Sequence, residues 1–410
     1  MNETSLNEKE VFDGNFTQQE PIPEAAIEAA VAVMRSGRLH RYNTLPNEKG
    51  EVALLEEEFA AFTGAKYCLA VASGGYAMGC ALRAVGVQAG DAVLTNAFTL
   101  APVPGSIAAL GAKPVFVGVT EGLVIDLDDL QVKISESGAK VLMLSHMRGH
   151  IADMDALMYI CNGAGVTVIE DCAHTMGAHW DGVPSGRHGA IGCYSTQTYK
   201  HLNSGEGGFL ITDDEELAAK AIMLSGSYML YTKHSAGPDP QVFEKIKYDT
   251  PNVSGRMDHL RAAILRVQLQ ALPEQVERWN ARYRAAEAGL QGAEGPDGAL
   301  TVIHRPQAEH YVGSSIQFLL LDWEGAKIEA LLARCLKRGV ELKWFGAPEP
   351  AAFTSRYDSW HYANPQPLPD SDRVLKSIVD MRLPLTFSEA DCALLARIIR
   401  DEVCAGWRLI

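Results

Sequence analysis

The sequence has no run of about 18 apolar residues, so nothing in it reads as a membrane-spanning helix. Its start, MNETSLNEKEVFDG, lacks the basic residues and apolar stretch of a secretory signal, which predicts a cytoplasmic protein. The eight cysteines form no CxxC pair and no short Cys/His cluster, which argues against a zinc site and predicts reduced thiols packed in a core. Positive charge is also in deficit: 36 Lys and Arg against 51 Asp and Glu give a formal charge of −15. That balance disfavours a general grip on nucleic acid or on an anionic membrane. No internal repeat is visible.

What is present suits a soluble globular protein large enough for two domains: 410 residues, 47% hydrophobic and 21% charged. Between about residues 50 and 225, helix-like and strand-like segments alternate. Helices are predicted over 50–63, 76–85, 103–110, 127–135 and 154–162, and strands over 67–72, 92–95, 114–117, 141–145 and 166–170. Such alternation predicts parallel strands joined by crossover helices. Residues 257–286 read as a long helical stretch interrupted near Pro273, leading out of the first domain. Strands over 313–321 and 340–344 and helices over 328–337 and 389–404 then predict a smaller α+β domain, with the Gly/Pro-rich residues 292–298 as a connector. The expected division is 1–270 and 271–410.

Three segments could carry chemistry. In YSTQTYKHLNSGEGG, Lys200 stands between an apolar strand and a Gly-rich turn, where a desolvated amine becomes a nucleophile toward carbonyls; the plain alternative is a solvated loop lysine. In VTVIEDCAH, an apolar strand ends in carboxylates 29 residues before Lys200. Asp171 there can pair with a pyridinium nitrogen, or simply cap a helix. In VASGGYA, a strand turns through Ser73, Gly74 and Gly75 into a helix, an arrangement that suits a phosphate group as well as a tight turn. Taken together, the three suggest an aldehyde, a ring nitrogen and a phosphate.

On these motifs the chain resembles the sugar aminotransferases of the DegT/DnrJ/StrS family, fold-type I enzymes that use pyridoxal phosphate. The resemblance runs over residues 24 to 405 in order, through MRSGRLHRYN, LEEEFAAFTGAKYCLAVASGG, GAKPVFVGV, HMRGHIADMDAL, VIEDCAHTMGAHWDG and, most specifically, YSTQTYKHLNSGEGGFLIT. It implies a large three-layer α/β/α domain with a mainly parallel sheet, plus a smaller C-terminal α+β domain. It further implies a Schiff base between Lys200 and the cofactor, with Asp171 at the ring nitrogen. His174 falls on the 3-hydroxyl side, and Ser195, Ser73, Gly74 and Gly75 fall at the phosphate. Where relatives carry Thr-Ala after Ser-Gly, this chain has Gly75 and Tyr76. Where they stack an aromatic side chain on the ring, it has Leu100, which supplies no π face. Ser254 falls where relatives place an asparagine that reaches the partner subunit's phosphate.

Arg148 stands where many relatives have a small apolar or aromatic residue; it is either a surface arginine or a fork for an anionic substrate group. With Tyr76 it forms the candidate substrate contacts. The implied activity is ping-pong transfer of an amino group from an amino acid, glutamate or glutamine, to a keto-sugar or related cyclic ketone, through a pyridoxamine phosphate form and with Lys200 as the proton carrier. Such chemistry belongs to amino-sugar and secondary-metabolite biosynthesis. A homodimer with shared sites is implied, with no metal. Two other readings stay open: lyase, dehydratase or carbon–carbon bond-forming chemistry on the same scaffold, or a regulatory protein that binds the cofactor without turnover.

Overall fold

A computed structural model describes residues 10–291 and 299–407. The predicted connector, 292–298, lies outside the described residues. The alternation read from the sequence is present. Strands β1 (Tyr67–Val71), β2 (Ala92–Asn96), β3 (Lys113–Val117), β4 (Val141–Ser145) and β5 (Thr167–Asp171) are interleaved with helices α3 (Gly74–Ala84), α4 (Pro102–Ala108), α5 (Leu127–Ser137) and α6 (Met154–Ala164). Two helices precede them, α1 (Glu24–Ser36) and α2 (Glu51–Thr63). Local chemistry sets the boundaries: Asp126 and Asp153 accept hydrogen bonds from first-turn amides of α5 and α6, and Gly138 and Gly165 end those helices in the left-handed region.

With β8 (Ile191–Ser195) and β9 (Gly208–Thr212), the strands form a seven-stranded sheet ordered β1-β9-β8-β5-β4-β2-β3. The pairs from β3 to β8 are parallel, while β9 runs antiparallel to both of its neighbours. The chain therefore returns directly from β8 to β9 without a crossover, and residues 196–207 sit over the C-terminal edge of the parallel strands. Lys200 lies in that return. Apolar side chains cover both faces of the sheet. Leu55, Phe59, Leu130, Leu157 and Leu265 lie in one core, and Met78, Leu82, Ile107 and Ile222, the last from α7 (Glu215–Leu224), lie in the other. The large domain is thus three-layered, as expected.

A short α8 (Pro240–Glu244) leads toward α9 (His259–Leu290). The helix runs through Pro273, where the sequence suggested an interruption, and the expected division between residues 270 and 271 falls within it. Buried Leu269, Leu272 and Val276 flank the proline, so packing offsets the lost backbone hydrogen bond. Farther along α9, Tyr283, Ala286 and Leu290 enter a separate core. That core belongs to a second sheet, β10 (Thr301–Val302), β12 (Ser315–Leu319), β14 (Ile378–Arg382) and β13 (Lys343–Trp344) in that order, with α10 (Gly325–Lys337) and α12 (Glu389–Trp407), while α11 (Pro369–Ser377) packs into another cluster with Phe98 and Phe116. Phe12 and Phe16, from the start of the described chain, pack in the second-sheet core against Phe387. A third, small sheet is formed by β11 (Glu309–His310), β6 (His179–Trp180) and β7 (Val183–Pro184) in that order. Among the described residues no helix is long and apolar enough to cross a membrane.

Candidate active site

The site begins at the end of β5, where strand alternation sends two adjacent carboxylates in different directions. Glu170 is fully committed: Oε1 accepts from the amides of His188 and Gly189, and Oε2 from the amide of Gly186, with Nε2 of His146 at 2.9 Å from the same oxygen. Burial alone would raise its pKa, but these partners hold it below the ordinary value. Glu170 is scaffolding. Asp171 is different. It accepts the Ser145 hydroxyl at 3.0 Å and the Ala173 amide at 3.1 Å, and among the described residues no cation lies within ion-pair distance of it. Burial pushes its pKa up, and the charge of Lys200 together with those two donors pulls the other way. A buried carboxylate with spare acceptor capacity fits the protonated ring nitrogen of pyridoxal phosphate.

Ser145 was not foreseen, although parallel pairing aligns it directly with Asp171. Two neighbouring strands ending on polar residues was the signal. Asn96 ties the same edge together, donating to the carbonyls of Phe98 and Ser145 and accepting the Ser145 amide.

Lys200 Nζ lies 2.8 Å from Nε2 of His174. Burial, then the nearby charge of Arg148, pull the lysine down to about 7, with Asp171 opposing and Arg382 adding to the fall. Burial and the same cations hold His174 well below the ordinary histidine range, so its imidazole is neutral and accepts from the lysine. A half-buried amine that is substantially unprotonated at neutral pH is equipped to attack a carbonyl.

At the other end, Ser73 caps α3 by accepting the Tyr76 amide, leaving the amides of Gly74 and Gly75 without an intrahelical acceptor. A Cβ at Gly74 would stand 2.9 Å from Cβ of Ser195, and one at Gly208 would stand 2.7 Å from the Gly74 nitrogen. Three chain segments therefore meet with no room for side chains, and the Ser195 hydroxyl comes beside the start of α3. Gly75 faces open space except for Ser73 Oγ at 3.9 Å. This cup of amides and hydroxyls fits a phosphate. Half-buried Leu100, beyond the end of β2, packs against the apolar cluster that includes Phe98 and Phe345.

Tyr76, a candidate substrate contact, has its hydroxyl directed at the carbonyls of Leu224 and Val253. Its ring also fills the space that a Cβ at Gly255 would need. It thereby braces the segment around exposed Ser254, which runs along the edge of β1 through Gly255 and Arg256.

Arg148 adopts a left-handed backbone (φ 55°) just after β4, and its Nη2 lies 2.9 Å from Oδ2 of fully buried Asp380. Its guanidinium also stands 5.5 Å from the ring centroid of Phe345. Sequence reasoning missed Asp380, Lys343 and Arg382, all on the second sheet, because no local motif marks them. Arg382 lines the cleft beside Lys200, with its guanidinium 3.9 Å from the ring centroid of Tyr199.

Several known proteins are similar to this chain. The pleiotropic regulatory protein of Geobacillus stearothermophilus is 36% identical over 237 residues, 57% of this chain and 58% of its own length. The putative L-glutamine:3-amino-2,3-dideoxy-scyllo-inosose aminotransferase of Micromonospora echinospora is 31% identical over 293 residues, 70% of this chain and 66% of its own. The chain thus spans under two thirds of both. The crystal structure of 3-amino-5-hydroxybenzoic acid synthase superposes with a TM-score of 0.80 at 25% identity, covering 95% of this chain and 98% of that one. The model of the DegT/DnrJ/EryC1/StrS aminotransferase family matches residues 22–399, and the chain belongs to that family, whose cofactor is pyridoxal 5'-phosphate.

Proposed function

We propose that this chain is an aminotransferase that moves an amino group from an amino acid donor, glutamate or glutamine, to a keto-sugar or related cyclic ketone. The observation that carries the reading is Lys200: an amine drawn down to about 7, hydrogen-bonded to a neutral histidine and within the electrostatic reach of a buried carboxylate that has no ion-pair partner among the described residues. When bound, pyridoxal phosphate supplies a protonated ring that withdraws electrons from the substrate's α-carbon.

The protein's own groups divide the remaining work. Lys200 would hold the cofactor through its amine, which is also placed to carry the α-proton as general base. Asp171 holds the proton on the ring nitrogen, and Ser145 and the Ala173 amide orient that carboxylate. His174 accepts from Lys200 and fixes the approach of its amine. Ser73, Gly74, Gly75 and Ser195 would take the phosphate, and Leu100 would offer the ring an apolar neighbour. The family supports a homodimer in which Ser254 faces the partner's phosphate, an arrangement that its exposure allows. The cyclitol and aminohydroxybenzoate enzymes among the relatives support a cyclic ketone as acceptor.

The test is the visible absorption of the purified, cofactor-loaded protein. Glutamate or glutamine should bleach the lysine-bound band to that of the pyridoxamine form, and a keto-sugar or cyclitol ketone should restore it. A band that no amino acid bleaches would instead favour a regulatory role or other chemistry on the scaffold.

A further inference from the structure

Between β13 and α11 the chain leaves the second sheet and lies along the edge of the first. Tyr357, Trp360 and Leu368 are buried with Phe116 of β3. Gln366 covers the free edge of that strand, accepting the Phe116 amide at 2.8 Å and donating to the Pro114 carbonyl at 2.9 Å. The Tyr362 hydroxyl lies 3.4 Å from the carbonyl oxygen of Ala101, one residue past Leu100. The excursion is therefore anchored on the large domain, although both elements that bound it lie beyond α9 in the chain.

Near its start is a two-residue hairpin. Ala351 and Thr354 exchange both backbone hydrogen bonds, at 3.0 and 2.9 Å, and the hydroxyl of buried Thr354 donates to the same Ala351 carbonyl at 2.7 Å. Ala352, the first turn residue, is left-handed at φ 51°, where glycine or asparagine ordinarily stands. The turn is held against the preference of its own sequence, and what it presents is Phe353. That residue is 53% exposed, the only exposed phenylalanine among the described residues. Its ring meets Tyr199 edge-on, with centroids 6.4 Å apart at 69°. Lys343 Nζ stands 5.6 Å from the Phe353 centroid, and the Arg382 guanidinium covers Tyr199 at 3.9 Å. The aromatic pair is thus fixed from both ends, and Tyr199 adjoins Lys200 in the wall of one cleft. A lone exposed aromatic is ordinary. One on a strained, anchored turn beside the reacting lysine is a preorganised surface.

We propose that Phe353, backed by Tyr199, is the platform on which the ring of the acceptor lies, and so a specificity-determining residue of the second half-reaction. This deepens the cyclic-ketone reading and rests on it. An aromatic face is the negative side of the ring's quadrupole and attracts C–H groups. A cyclitol or pyranose carries hydroxyls around its rim and C–H groups above and below, so it lies on such a face without burying a hydroxyl unpaired. An open-chain amino acid has no comparable face. The platform therefore sorts acceptor from donor in a cleft that admits both in turn.

The test compares the two half-reactions. Cofactor-loaded enzyme is bleached with glutamate or glutamine and then reloaded with 2-keto-myo-inositol, and stopped-flow absorbance follows the return of the visible band. Phe353→Ala should raise the half-saturating ketone concentration by about tenfold, with the limiting rate and the donor bleaching rate as in the wild type. Phe353→Trp keeps an aromatic face and should retain wild-type saturation. Saturation-transfer NMR with myo-inositol, which has the ring and no ketone, reads binding apart from reaction; its signal should persist in Phe353→Trp and fall in Phe353→Ala. Wild-type saturation in Phe353→Ala, or a loss shared equally by the donor and acceptor steps, would overturn the proposal. A wild-type enzyme that an amino acid bleaches but that neither this ketone nor any keto-sugar reloads would overturn the cyclic-ketone reading and the platform with it. One that no amino acid bleaches would overturn the aminotransferase reading itself.

Discussion

Lys200 Nζ and His174 Nε2 are 2.8 Å apart, and the histidine is the neutral partner. The lysine's pKa of about 7 lies below that of an unfolded lysine, near 10.4. Between those two values the unfolded chain binds the extra proton, so stability of the cofactor-free protein should rise with pH across this window. Lys200→Met should flatten that rise in denaturant titrations between pH 7 and 10. In the wild type, reductive alkylation of Lys200, followed by mass spectrometry, should reach half its maximal rate near pH 7. Arg148→Gln should move that midpoint upward by removing a neighbouring positive charge.

Asp171→Asn keeps the shape of the side chain and removes its charge. The cofactor should still load, because Lys200 and the phosphate cup are untouched, so the visible band should persist. The bleaching rate with glutamate should fall by about 10³-fold, since an unprotonated ring withdraws electrons poorly. Stopped-flow absorbance measures this directly, and a variant that bleaches at the wild-type rate would remove Asp171 from the ring nitrogen.

Gly74 and Gly75 should respond in opposite directions. Gly74→Ala drives a Cβ to within 2.9 Å of the Ser195 side chain and should weaken cofactor binding by about tenfold. Gly75→Thr meets open space and restores the hydroxyl that relatives carry, so it should tighten binding by about tenfold or more, the value of one hydrogen bond to a charged acceptor. Equilibrium titration of cofactor into the cofactor-free protein compares the two.

If Ser254 serves the partner's site, two inactive chains should complement. Co-expressed Lys200→Ala and Ser254→Trp chains would form a mixed dimer with one site that has an intact lysine and, from across the interface, an intact Ser254. Isolated by two different affinity tags, that dimer should recover about half of the wild-type activity. Action of Ser254 within its own chain would leave the mixed dimer inactive.

The large domain was legible in the sequence because its strands are short apolar runs bounded by capping aspartates and left-handed glycines, which are local signals. The expected site residues Lys200, His174 and Asp171 were legible for a related reason: each stands at the end of a strand or in the turn after one, and motifs there are contiguous. Ser145 was one inference away, through the pairing of β4 with β5. Arg382, Lys343 and Asp380 were out of reach. They approach Lys200 only because the second sheet faces the first, and β14, with charges at Asp380 and Arg382, has no clean apolar run to announce it. Pro273 misled in the opposite way, since a local breaker was outweighed by burial on both sides.

That same helix has a thermodynamic consequence. Because α9 contributes Leu265 to Val276 to one core and Tyr283 to Leu290 to the other, neither core can melt without unravelling a wall of its neighbour. The chain is built as one cooperative unit despite its two large sheets, and calorimetry of the cofactor-free protein should record a single endotherm with matching calorimetric and van't Hoff enthalpies.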